Sequence, residues 1–202
     1  MKRNHVWQKK TKTLWPEKVE HGVYWPLGLL LIYWAEFLTL AINPYSRDVW
    51  LAENLTALIP ITALCILYWR GIRFSNTAYT LMAVYFYLQT LGGYYTFERV
   101  PFEWVTDAFG FERNHYDRLC HFMVGVFAFP ALEYFEETRS VKGRKLAIFL
   151  AVMGVFGVAA IFELIEWIYA EVSDPAAGAA FLGSQGDIWD AQKDMLADGL
   201  GA

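Results

Sequence analysis

The chain has 202 residues, 56% hydrophobic and 18% aromatic with nine tryptophans, and its net charge of −4 is spread along its length rather than pooled. A mean hydropathy of +0.25 is too apolar for a soluble surface to cover, and no basic stripe speaks for a nucleic-acid partner. The composition predicts an all-α fold, a polytopic transmembrane helix bundle with the lipid bilayer as its partner.

Residues 1–22 read as a basic cytoplasmic tail (Lys2, Arg3, Lys9, Lys10, Lys12, Lys18), and 23–202 as a single transmembrane domain. The first apolar run begins too late for a cleavable signal peptide and lacks a small-residue cleavage site, so the first span is expected to stay as an anchor. That run, "YWPLGLLLIYWAEFLTLAI" (24–42), tolerates Pro26 near its start. Further spans are expected at about 51–69, 77–95, 119–134 and 146–170, with a polar segment at 96–117 and a Gly/Ala/Ser-rich linker at 171–186. A final helical segment occupies 187–202. Its fifteen or so residues rise about 22 Å against a hydrocarbon core of roughly 30 Å. The expectation is therefore five full spans plus a truncated sixth helix. Cys65 and Cys120 sit in or beside apolar runs and read as core packing rather than a disulfide. Trp7, Trp15, Trp25 and Trp50 read as interface anchors.

Lys and Arg in short loops set orientation. The tail, Arg70/Arg73, and Arg139/Lys142/Arg144/Lys145 fall on one side if the spans alternate, while 171–186 carries no Lys or Arg. The N-terminus is expected in the cytoplasm.

That orientation brings acids from three helices to one outer depth. Asp117 and His121 (i, i+4) open the fourth span, Glu163 and Glu166 (i, i+3) end the fifth, and Asp187, Asp190 and Asp194 form a stripe on the last helix. Converging, these seven would make one acidic pocket, the expected ligand- or metal-binding site. Carboxylates that close need shared protons, arginine or lysine partners (Arg99, Arg113, Arg118, Lys193), or a divalent cation. The oxygen-rich set suits Mg, Mn or Ca better than zinc. Blander roles stand beside each: the glutamates snorkel, Asp187 caps the last helix, and His121 is a packed core histidine, whereas Asp117 accepting from one ring nitrogen is the arrangement of a metal-bound or proton-shuttling histidine. Glu36 and Glu133 read as paired or snorkelling. Gly92-Gly93 reads as a close-packing point, with Tyr94, Tyr95, Glu98, Arg99 and Arg118 as candidates for the pocket lip.

At "YDRLCHFMVG … FELIEW … GDIWDAQKDMLADGLGA" the chain resembles the YjdF-like family of bacterial inner-membrane proteins over most of 20–202, and more loosely the VanZ-like group over its second half. The resemblance implies a multi-pass protein of the bacterial inner membrane with those seven residues as motif positions. It also implies a last helix running beyond Ala202, and it implies no catalytic role.

Three functions compete, beside a structural scaffold whose acids merely cap and pair. The first is a membrane protein whose pocket binds a divalent cation or a polar or lipid-linked ligand. The second is a metal-assisted hydrolase or transferase on an envelope lipid precursor, with His121, Glu163 and Asp190 as catalytic candidates. The third is a proton- or cation-coupled small transporter; six short spans without an internal repeat count against the inverted-repeat kind unless the chain forms a homodimer.

Overall fold

A computed structural model describes residues 24–202, so the basic tail with Trp7 and Trp15 lies outside the described residues. The described residues fold as nine helices with no strand: α1 Tyr24–Leu40, α2 Arg47–Trp69, α3 Asn76–Tyr95, α4 Glu103–Phe109, α5 Tyr116–Gly125, α6 Ala128–Thr138, α7 Arg144–Val172, α8 Pro175–Leu182 and α9 Asp190–Gly201. Three stretches are long and apolar enough to cross a bilayer: α2, the α5–α6 pair and α7; α1 is apolar but has only 17 residues. The all-helical membrane architecture is as expected, while length and apolarity carry three of the expected spans.

Side-chain caps fix several helix starts. Ser46 Oγ accepts from Val49 N at 3.5 Å to open α2, and Ser75 Oγ accepts from Ala78 N at 3.1 Å to open α3. Asp174 accepts from Ala176 N at 2.9 Å, with Pro175 at the first position of α8, where its missing N–H costs nothing.

Two prolines interrupt their helices. Pro60 lies inside α2 and removes the bond its N–H would make to the carbonyl of Thr56. Pro130 does the same to Val126, which is where the expected fourth span parts into α5 and α6. The expectation of one unbroken segment there missed this effect.

Helices pack in two groups. Beside α3, α1 runs parallel: Trp25 Nε1 donates to Thr80 Oγ1 at 3.0 Å and Tyr87 Oη donates to the Leu29 carbonyl at 2.9 Å. Their shared core, with α2, holds Tyr33, Ala57, Ile61, Met82 and Phe86. The second group is α5, α6, α7, α8 and α9, joined to the first mainly where α3 meets α5 and α2 meets α8.

Several local expectations are corrected. The linker at 171–186 contains α8, which folds back on the end of α7 because Gly178 lets the backbones meet; a Cβ there would lie 2.9 Å from Ala170 Cα. The polar 96–117 segment contains α4. The last helix begins at Asp190, and Asp187 precedes it in a turn, accepting from Trp189 N at 3.1 Å rather than capping the helix itself. Trp50 is buried against Phe37 instead of anchoring at an interface, whereas Trp25 stays half-exposed. Cys65 and Cys120 are both free thiols.

Candidate functional site

One end of the bundle gathers the acids. There α2, α5 and α9 begin while α3 and α7 finish, so Glu53, Asp117, Glu166 and Asp190 arrive from four helices.

The closest contact at this end is between α5 and α9, which run parallel. Gly125 and Gly201 permit it: a Cβ on Gly125 would overlap the Asp198 carbonyl oxygen, and one on Gly201 the Phe122 carbonyl. On its other side Gly199 lies against the Phe156 ring of α7. This packing turns the aspartate stripe of α9 inward, and Asp190, Asp194 and Asp198 are all buried, while Leu196 and Leu200 point outward. The outer face of the helix mixes those leucines with exposed Gln192 and Lys193.

Two arginines take up the first part of the stripe. Arg118 reaches Asp190 Oδ1 at 2.5 Å, Asp194 Oδ1 at 2.6 Å and Asp187 Oδ2 at 3.4 Å. Arg113 meets Asp190 Oδ1 at 2.6 Å and donates to the Ser184 carbonyl at 2.9 Å, tying the 183–186 loop to the start of α5. Lys193 closes on Asp187 Oδ2 at 2.6 Å. That bond, then the Trp189 N–H, holds the Asp187 carboxyl down at about 2. Burial, followed by the two guanidinium groups, keeps the His115 imidazole below its ordinary range. Three cations thus answer three aspartates.

Deeper in, the balance changes. His121 Nδ1 lies 3.1 Å from Asp198 Oδ2, and Nε2 lies 3.8 Å from Asp117 Oδ1. Asp198 therefore orients the ring, the role expected of Asp117, and with the proton on Nδ1 the Nε2 lone pair faces Asp117. One ligand atom each from Asp117, His121 and Asp194 lies within 4.8 Å of the others. An imidazole nitrogen plus two carboxylates, with a third carboxylate behind the ring, fits the donor chemistry of a divalent cation.

Glu53 and Glu166 complete the group. Glu53 is buried on α2, and Gln89 Nε2 donates to its Oε2 at 2.9 Å; Gly93 makes room for it, since a Cβ there would lie 2.9 Å from Glu53 Cβ. Glu166 is buried on α7, while Glu163 is half-buried with Oε1 lacking a hydrogen-bond partner among the described residues. Glu53, Asp117, His121, Glu166 and Asp198 all line one cavity of about 620 Å³, whose remaining walls are apolar apart from Thr56 and Gln89.

Of the seven expected site residues, Asp117, His121 and Glu166 meet at this cavity; Asp194 joins from beside it, Asp187 and Asp190 belong to the arginine cluster, and Glu163 neither lines the cavity nor joins that cluster. The expected lip does not frame the cavity. Tyr94 and Tyr95 stack edge to face, Arg99 pairs with Glu98 and covers the Tyr45 ring at 4.2 Å, and Arg118 is spent on aspartates. Sequence reasoning missed Glu53, Gln89 and Asp198. Asp198 was within reach, because it extends the 187/190/194 stripe by four residues.

Helices of this length and apolarity, with acids turned inward at one end, define a helical membrane protein. The chain belongs to the family described as "Predicted membrane protein (DUF2238)", whose model matches residues 25–202. It is 36% identical over 179 residues to "Inner membrane protein YjdF" of Escherichia coli (strain K12), covering 87% of this chain and 81% of that protein. No solved structure matches it.

Proposed function

We propose that the chain is an inner-membrane protein, N-terminus in the cytoplasm, that crosses the bilayer with five helical spans and a shorter sixth helix, α9, and binds a divalent cation at Asp117, His121 and Asp194 near the outer face. The observation that carries this reading is the His121 geometry. Asp198 holds Nδ1, which leaves Nε2 3.8 Å from Asp117 Oδ1, while Asp194, which Arg118 meets at Oδ1, places a ligand atom within 4.8 Å of those two. The inner-membrane assignment draws on the E. coli relative's description, and the orientation draws on the basic loops at 70–73 and 139–145, opposite the acidic end.

Mn²⁺ is a suitable probe, since the set is oxygen-rich and paramagnetism reports binding directly. Purified protein in a neutral detergent, stripped with chelator and titrated with Mn²⁺, is expected to take up one ion per chain. Asp117→Asn and His121→Ala are expected to weaken that uptake by at least tenfold, and Asp187→Asn to leave it unchanged. Uptake that is absent, or equal in the Asp117→Asn protein, defeats the proposal.

A second reading, metal-assisted hydrolysis or transfer on a lipid-linked precursor, gains support from Glu163. Its buried Oε1 has no hydrogen-bond partner among the described residues, which leaves it free to serve as a base toward a cation-activated water.

A further inference from the structure

The 620 Å³ cavity is far larger than a cation needs and falls among the roughly 300–1,000 Å³ of small-molecule sites. Its shape follows from the two helix groups. α2 packs on α3 and α8, α7 packs on α5, α6, α8 and α9, and both line the cavity. The opening is sideways and mid-helix: on α7 the lining residues Leu150 and Val158 are 38% and 60% exposed, with Gly154 between them, and on α2 the lining residue Ala63 is exposed. Both helices are long and apolar enough to cross a bilayer, so what stands outside this opening is hydrocarbon.

The other end is polar and unbalanced. Glu166 is 8% exposed and lines the cavity. Asp198 is fully buried, also lines it, and has Oδ1 without a partner. Arg113 and Arg118 are committed to Asp187, Asp190 and Asp194 and do not line the cavity. A carboxylate placed there without a counter-charge is costly, and a positively charged hydrogen-bond donor is what it lacks.

We infer that the cavity is a lipid site: a hydrocarbon chain enters from the bilayer between α2 and α7, and an ammonium head lies against Glu166, with Glu53 and Asp198 around it. An anionic head would meet the four carboxyl groups that line this end, Glu53, Asp117, Glu166 and Asp198. This assignment deepens the ligand reading above by naming the ligand class, and it does not require the cation.

Gly154 supplies the test. A Cβ at Gly154 meets nothing within 4 Å although the residue lines the cavity, so a bulky side chain there fills the chain path without a backbone clash; Gly157 is equally open but does not line it. Protein in sugar-based detergent is incubated with phosphatidylethanolamine or phosphatidylglycerol of identical acyl chains, and retained lipid is read by native mass spectrometry. Wild type is expected to retain the ethanolamine lipid about tenfold better, the scale of one charge-assisted hydrogen bond. Gly154→Phe is expected to lower retention of both lipids, Gly157→Phe of neither, and Glu166→Gln to abolish the preference while keeping the chain bound. Equal retention in the two glycine variants overturns the chain assignment, as does a dimer that only Gly154→Phe dissociates. Equal or better retention of phosphatidylglycerol by wild type overturns the head assignment. Mn²⁺ uptake measured on the same Gly154→Phe protein separates a failure here from a failure of the cation site.

Discussion

Arg118 holds together more of the acidic end than any other side chain described. Its guanidinium spans Asp187, Asp190 and Asp194, a fork that a lysine's point charge does not reproduce. Arg118→Ala leaves Asp190 with Arg113 and Asp194 with no arginine, so it should cost about 3–5 kcal/mol, as removal of one member of a buried pair does. Thermal unfolding in detergent measures this, and Arg118→Lys should recover only part of the loss. Asp187 predicts a pH dependence. Its folded value of about 2 lies below the usual aspartate value of about 3.9, so its bonds to Lys193 and the Trp189 N–H stabilise the fold fully above that usual value. The contribution disappears as pH falls through about 2. The melting temperature of wild type minus that of Asp187→Asn should therefore be constant from pH 7 to 5 and shrink between pH 4 and 2. An unchanged difference at pH 2 contradicts the assigned bonds. Residue identity made the aspartate stripe readable, because spacing on a helix fixes the face. It could not assign partners: Arg113 and Arg118 lie 69 to 77 residues from the aspartates they bind.

Between elements, the α5–α9 contact decides whether a site exists at all. α9 has twelve residues and rises about 18 Å, too little to be held by length in the bilayer. Packing holds it, and the packing depends on Gly125 and Gly201 having no Cβ. Gly125→Leu should therefore displace α9, withdrawing Asp194 and Asp198 together. The expected outcome is a lowered melting temperature and loss of Mn²⁺ uptake, with Gly157→Leu as the tolerated control because nothing lies within 4 Å of its Cβ. Uptake preserved in Gly125→Leu would mean that α9 is held by other contacts. The Gly92-Gly93 pair was legible as a close-packing point, and Gly93 does meet Glu53; the more consequential glycines, at 125 and 201, were hidden among ordinary helix-end residues. The Gly/Ala-rich 171–186 stretch misled for the opposite reason, since small residues that mark a flexible linker also let α8 press on Ala170.

At the scale of the whole molecule, the acidic end and the basic loops occupy opposite ends, and this predicts a topology. Single cysteines placed at exposed Gln185 and at exposed Lys142, with Cys65 and Cys120 replaced by serine or alanine, should label from outside and from the cytoplasm, respectively, with an impermeant thiol reagent. Labelling in the reverse sense would turn the cation site inward. The sequence by itself determined a helical membrane protein with acids on one face of three segments, because hydropathy and helical spacing are local properties written in neighbouring residues. The tertiary structure alone decided which acids are neutralised by arginine, which carboxylate holds His121, and that Glu53 and Glu166 line one cavity. Those outcomes depend on the approach of helices far apart in sequence, set by glycines and prolines whose effect appears only when a second backbone comes close.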